Sequence, residues 1–276
     1  MVRRCPLNPI STTAYWTLIA RIQDAEAASP LCGDYLAKRF SSSESEQARA
    51  KFGQLESAAA NIVARHRIID DYLADRLRRD PSVLVVLLGA GFDTRAFRFG
   101  GGKWVELDEN NIIAHKNALL PATQCPNPLT RISVAFERQP VEGVLSNLSG
   151  YGDSGAVIVV AEGVLLYLSE EQVECLINGV SAAFPNASIV CDLMSAEFFD
   201  TYLRDVSEAV RDNQSPFRFL PKQPTAIFDR NGFTLERCDS IPSRARNDFT
   251  TVRANAECGY CVYSFFAAQT DHGSMQ

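Results

Sequence analysis

Gly89-Ala90-Gly91-Phe92-Asp93-Thr94 follows directly on the β-branched apolar run Val83-Leu84-Val85-Val86-Leu87-Leu88. A glycine turn where strand gives way to helix lets a ligand approach the backbone closely. The dinucleotide fingerprint asks for a further glycine at the place of Thr94, and Asp93 puts negative charge where a pyrophosphate would lie. A cofactor without phosphates is the better match, and S-adenosylmethionine, with positive sulfonium and ammonium groups, is of that kind. Its ribose diol requires an acidic acceptor. Asp108 stands nineteen residues after Gly89, in Lys103-Trp104-Val105-Glu106-Leu107-Asp108, and Glu106 shares its strand face. A third acid, Glu162, closes another apolar run in Ala161-Glu162-Gly163-Val164-Leu165-Leu166-Tyr167-Leu168. Such an acid sits either at an open strand end or beside a cation. Tyr167 could bring a hydroxyl to a cleft rim or simply pack in the core.

The elements that hold these groups are legible from periodicity. The stripe Leu55, Ala58, Ile62, His66, Ile69, Leu73 and Leu77 follows helical spacing and predicts one long helix from Leu55 to about Arg79. The run at Val83 reads as a strand buried on both faces, which belongs to a parallel sheet. Trp104–Leu107, Ala156–Ala161 and Ala187–Cys191 read likewise, each followed by a helical pattern. Alternation from Val83 to about Asp212 predicts an α/β fold: a Rossmann-like, doubly wound, mostly parallel sheet with ligands at the carboxyl ends of its strands. Phe233–Arg237 and Glu257–Ala268 predict an antiparallel pair at the sheet edge. Residues 11–40 read as two short helices, and the polar runs Ser41–Glu46 and Ser240–Asp248 as linkers. The simplest partition is an N-terminal helical cap over 1–54 and a cofactor-binding domain over 55–276.

Composition limits the function classes. The chain has 276 residues, 46% hydrophobic, with net charge −6, enough to bury a large core but without the basic field that holds nucleic acid. No apolar run reaches the roughly 18 residues of a membrane span, and the two early arginines lack a following apolar stretch. The expectation is a cytoplasmic protein. Eight cysteines without framework spacing predict reduced thiols. Cys258-Gly-Tyr-Cys261 lacks the second pair or nearby histidines of a zinc site, so no metal is expected.

The ordered set Leu88-Gly89-Ala90-Gly91-Phe92-Asp93-Thr94-Arg95-Ala96-Phe97-Arg98, Glu106-Leu107-Asp108 and Glu162-Gly163-Val164-Leu165-Leu166-Tyr167-Leu168 resembles the leucine carboxyl methyltransferase family. It is more narrowly similar to the bacterial branch that includes the tetracenomycin polyketide O-methyltransferase. The resemblance spans residues 12–195, with looser echoes at Thr13-Ala14-Tyr15-Trp16, Arg21 and Asp34-Tyr35-Leu36-Ala37. It implies a class I methyltransferase sheet binding S-adenosylmethionine and releasing S-adenosylhomocysteine. Arg65 then matches the arginine for the methionine carboxylate, and Gly89, Ala90, Gly91 and Asp93 match the turn beneath it. Asp108, with Glu106, matches the ribose acid. Glu162 matches a cleft acid near the reacting groups, with Tyr167 beside it, and Arg21, Tyr15 and Arg204 are candidate substrate contacts. Relatives carry an Asp-Leu pair near the adenine, whereas this chain has Val134-Ala135-Phe136-Glu137-Arg138. Phe136 could pack on the adenine and Glu137 accept from its amino group.

Methyl transfer is an in-line displacement that needs alignment and exclusion of water. A carboxylate acceptor, with a pKa of about 4, is already ionised and needs no general base. With three histidines outside any recognisable motif, the expectation is methylation of a carboxylate, with a hydroxyl open, on a small natural-product or polyketide-type molecule. Magnesium assistance is not expected. Alternatives are a protein C-terminal carboxyl methyltransferase, a non-catalytic S-adenosylmethionine-binding relative and, against Asp93 and the missing glycine, a nicotinamide-dependent oxidoreductase.

Overall fold

A computed structural model describes residues 9–52, 56–134, 141–148, 155–202, 216–245 and 259–267. Helices α1 (Pro9–Ala25), α2 (Ser43–Phe52) and α3 (Glu56–Arg79) precede β1 (Leu84–Leu88). Then follow α4 (Arg95–Arg98), β2 (Lys103–Asp108), α5 (Asn110–Leu119), β3 (Leu129–Ser133), α6 (Val141–Leu148), β4 (Val157–Ala161), α7 (Glu170–Ala183), β5 (Ala187–Met194) and α8 (Ala196–Tyr202). The chain ends in α9 (Ala226–Asp229), β6 (Phe233–Ser240), α10 (Ile241–Arg244) and β7 (Tyr260–Ala267).

The seven strands lie in the order β3-β2-β1-β4-β5-β7-β6. β1 pairs in parallel with both β2 and β4, so the order reverses between β1 and β4 and opens a crevice above their carboxyl ends. β7 runs antiparallel between β5 and β6, which fulfils the expected antiparallel edge. Every residue of β1 and β4 is buried, because each strand is covered on both faces. On one face Val85, Leu87, Trp104 and Val160 pack with Leu18, Ile69 and Leu73 from α1 and α3. On the other, Val86, Leu107 and Val159 pack with Val173 and Ile177 of α7. Ser169 caps α7, its hydroxyl accepting from the Gln172 amide while the Gln172 side chain accepts from the Ser169 amide.

Two sequence expectations need correction. Residues 11–40 do hold two helical segments, but of unequal length: α1 is a helix of 17 residues and Ala37–Phe40 a single 3₁₀ turn, while the polar run at Ser41–Glu46, expected as a linker, enters α2. α2 is polar enough to hide its helical period, and the Ser42 and Ser45 side chains satisfy amides at its start. Ser240–Asp248 is likewise no plain linker, since Ser240 ends β6 and the chain turns into α10. Among the described residues no helix is long and apolar enough to cross a membrane. Cys261 is buried on β7, and Cys258 lies outside the described residues.

Candidate active site

The crevice at the ends of β1 and β4 deepens into a cleft roofed by α1, α3 and Phe217. Its floor contains Gly89, Ala90 and Gly91. Gly91 adopts φ +43°, and its amide donates to Asp108 Oδ2 at 2.6 Å. The Glu109 amide donates to Oδ1 of the same carboxylate at 2.6 Å. The two amides fix Asp108 at the end of β2, facing the cleft. Burial pushes its carboxyl up to about 6, against the lowering effect of both amides and of Lys116.

Behind the cleft lies a chain of buried charges that joins four elements. Arg95, fully buried on α4, reaches Asp70 of α3, Asp93 of the glycine turn at 2.6 Å and Glu162 at 2.7 Å. Arg65 of α3 donates to Glu162 through Nε at 3.2 Å and to Asp192 of β5 through Nη1 at 3.1 Å. Arg65 Nη1 also donates to the Tyr260 hydroxyl at 2.9 Å, and that hydroxyl donates in turn to Asp192. Burial alone would raise the Glu162 carboxyl, but Arg95, His66 and Arg65 hold it well below the usual carboxylate range. Glu162 therefore stays an anion, and its expected cationic partners are two arginines.

His66 belongs to the same chain. Its Nδ1 lies between Arg95 Nη2 at 2.8 Å and Glu162 Oε2 at 3.2 Å, and its Nε2 faces Arg98 Nη2 at 2.9 Å. His66, Asp93 and Glu162 are spaced as metal ligands could be. The guanidinium of Arg95 bonds to all three and fills the place of a cation among them. Because Arg95 pairs with Asp93, the negative charge read from the turn is partly compensated, which weakens that particular argument against a phosphate.

The structure gathers Arg65, Gly89, Ala90, Gly91, Asp93, Asp108, Glu162, Tyr167 and Arg21 around one cleft. Arg21 bonds Asp34 at 2.6 Å and the Phe92 carbonyl at 3.1 Å, tying α1 to the glycine turn. Two candidates lie elsewhere. Glu106 points from the same strand face as Asp108 but two residues deeper, where it is buried against Lys116 at 2.7 Å and Arg131 at 2.8 Å. Tyr15 turns away from the cleft to pack on Phe92, ring centroids 4.9 Å apart. Phe136, Glu137 and Arg204 lie outside the described residues.

Sequence reasoning missed Asn61, His66, Arg95 and Tyr260, all on the cleft wall, and Asp192 behind them. One signal was available for Arg95: Asp93 and Glu162 both lacked a cation, and Arg95 stands two residues beyond Asp93. Tyr260 carried no such signal, because only the antiparallel register of β7 opposite Met194 brings it to the cleft.

The strand order, with its one reversed strand inserted before the edge, and the acid at the end of β2 define the class I methyltransferase fold. A family model described as leucine carboxyl methyltransferase matches residues 14–181, and the chain belongs to that family. A Frankia alni protein named for S-adenosyl-L-methionine-dependent methyl transfer is 30% identical over 182 residues, 59% of this chain and 62% of the relative. A similarly named Streptomyces avermitilis protein is 35% identical over 130 residues, 44% of each chain. The chain thus spans about half to three fifths of the length of these curated relatives. In fold it resembles a DUF574 family protein from Streptomyces avermitilis, with TM-score 0.57, 12% identity and coverage of 90% of this chain and 97% of that one. Magnesium protoporphyrin IX methyltransferase from Synechocystis, solved with bound S-adenosylhomocysteine, aligns at TM-score 0.52 with 15% identity, covering 84% and 97%.

Proposed function

We propose that the chain is an S-adenosylmethionine-dependent O-methyltransferase that esterifies a carboxylate on a small natural-product acid. The cleft suits that cofactor. Asp108 uses one lone pair of each oxygen on a backbone amide, which leaves acceptor capacity for the two hydroxyls of a ribose. A Cβ on Gly89 would come within 2.6 Å of Val164, so that turn has no room for a side chain beside the ligand. Arg65 spends Nε and Nη1 on Glu162, Asp192 and Tyr260, which leaves Nη2, on the Gly163 side, for the methionine carboxylate.

When bound, the cofactor supplies a methyl group on a positive sulfonium, ready for in-line attack. The chain's own part is alignment and exclusion of water. Ile62, Val164, Leu166, Met194 and Phe217 give the cleft apolar walls. The observation that carries the carboxylate reading is the state of the groups a base would come from. Glu162 and Asp93 are held by arginines, and both His66 nitrogens face arginine donors. Such a site favours a nucleophile that arrives ionised. Arg21, bonded to Asp34, and Tyr167 line the side from which an acceptor would enter.

Methyl transfer from labelled cofactor to a panel of carboxylic acids tests this reading. The expected product releases its methyl as methanol in dilute alkali, as an ester does. An alkali-stable product would mean an ether and a hydroxyl acceptor. Calorimetric binding of the cofactor without turnover on any acid or alcohol would favour a non-catalytic binding role.

A further inference from the structure

Asn61 lines the cleft with 5% of its surface exposed, and its Oδ1 has no hydrogen-bond partner among the described residues. Buried polar atoms in folded proteins are almost always paired, so an unpaired one on a cleft wall points to a ligand. Other polar groups of the cleft are committed elsewhere: Tyr167 to Thr13, and Arg65 through Nε and Nη1 to two acids and a phenol, with Nη2 assigned above to the cofactor.

The path of α3 says which ligand Asn61 faces. Tyr72 of α3 donates to Glu236 of β6, which lies level with the first half of β5 across β7, while Arg65 bonds to Asp192 near the end of β5. α3 therefore runs opposite to β5, and each residue toward its N-terminus lies further out beyond the strand ends. Asn61 stands one turn before Arg65 on the same face, about 6 Å further along the helix axis beyond the strand ends. A cofactor bound at the strand ends would lie against the sheet, which puts Asn61, with the apolar Ala58 and Ile62, at the level where an acceptor would sit.

We infer that Asn61 selects the acceptor: its Oδ1 receives a hydrogen bond from a hydroxyl that the acceptor carries near the carboxylate to be methylated. The substrate class is then a hydroxylated acid. A carboxylate has no proton to give to Oδ1, and an ammonium on the acceptor would be repelled by the sulfonium, which leaves an uncharged donor, of which a hydroxyl is the simplest; the cofactor's own ammonium is the competing donor, and the affinity for S-adenosylhomocysteine separates the two. This inference rests on the methyltransferase reading above.

The test is calorimetric titration of the full chain, loaded with S-adenosylhomocysteine, with matched acids: salicylate against benzoate, and mandelate against phenylacetate. In the wild type, the hydroxylated member of at least one pair binds at least about tenfold tighter, the ratio that one net hydrogen bond of about 1.4 kcal/mol gives. In Asn61→Leu the ratio falls below about threefold, affinity for S-adenosylhomocysteine stays within about twofold, and the thermal midpoint is unchanged or higher because an unpaired oxygen has gone. Absence of any preference in wild type overturns the inference even if the variant fails to fold. So does a preference that survives the substitution, or a parallel loss of S-adenosylhomocysteine affinity, which would make Asn61 a cofactor contact. Wild type that binds no S-adenosylhomocysteine overturns the methyltransferase reading as well, so the two failures are distinguishable.

Discussion

Arg95 Nη1 lies 2.7 Å from Glu162 Oε2, linking the short helix after β1 to the end of β4 across the point where the sheet order reverses. The same guanidinium holds Asp70 and Asp93, so one side chain answers three carboxylates. Arg95→Met would leave those acids short of a buried cation. Breaking a buried ion pair by removing one partner typically costs about 3–5 kcal/mol. The urea midpoint of Arg95→Met is expected to drop by a corresponding amount. A midpoint equal to wild type would mean that Arg65, Arg98 and His66 already neutralise the cluster.

Gly163 adopts φ +65°, and a Cβ there would lie 3.0 Å from Arg65 Nη2. Gly163→Ala therefore strains the backbone by about 1–2 kcal/mol and pushes on the guanidinium nitrogen assigned to the methionine carboxylate. Stability should fall modestly. Cofactor affinity, read by calorimetry, should fall about tenfold, equivalent to about 1.4 kcal/mol. Wild-type affinity in this variant would remove Arg65 Nη2 from the cofactor site.

What the sequence disclosed and what it hid follow from the range of the interactions. β1 was legible because a strand covered on both faces must be continuously apolar, and Val83 to Leu88 is. The placement of Asp108 at the cleft end of β2 was legible by its distance from the glycine turn. Glu106 was not separable from it, since two residues of one strand share a face and only depth below the strand end distinguishes them. Lys116 and Arg131, which claim Glu106, come from α5 and β3 and leave no local trace. Asn61 was hidden for a stronger reason: whether an amide is paired is a property of the folded surroundings, and no periodicity encodes it. α2 was hidden because its polar composition shows no apolar stripe.

Tyr260 stands between Arg65 and Asp192, its hydroxyl bonded to both. Burial, with the nearby Asp192, holds the phenol protonated despite Arg65, so it acts as a fixed donor and not as an acid or base. Tyr260→Phe keeps the ring and removes one bridge, at a stability cost of about 1 kcal/mol. Arg65 then retains Asp192 and Glu162 but loses part of its orientation. KM for the cofactor should rise a few-fold while kcat changes little. A fall in kcat with unchanged KM would instead place the hydroxyl against the reacting groups.

With Asp108 as the proposed ribose acceptor, cofactor binding is expected to depend on pH. The Asp108 carboxyl sits at about 6 in the protein, above the ordinary 3.8, because burial disfavours the charged form. A folded-state value above the unfolded one means that the protonated form is the better tolerated in the ligand-free protein, so ionising Asp108 costs stability as pH rises through about 6. In the proposed role the ionised form accepts from the ribose hydroxyls, so binding would draw the proton off. At pH 7 about nine tenths of Asp108 is ionised and at pH 5 about one tenth, from its value near 6. Affinity for S-adenosylmethionine should therefore weaken about tenfold between pH 7 and pH 5, with proton release on binding near pH 6. Asp108→Asn should bind more weakly at pH 7 and lose this dependence. Calorimetry in buffers of different ionisation enthalpy reads both effects, and a slope that persists in Asp108→Asn would assign the titration to another group in the cleft.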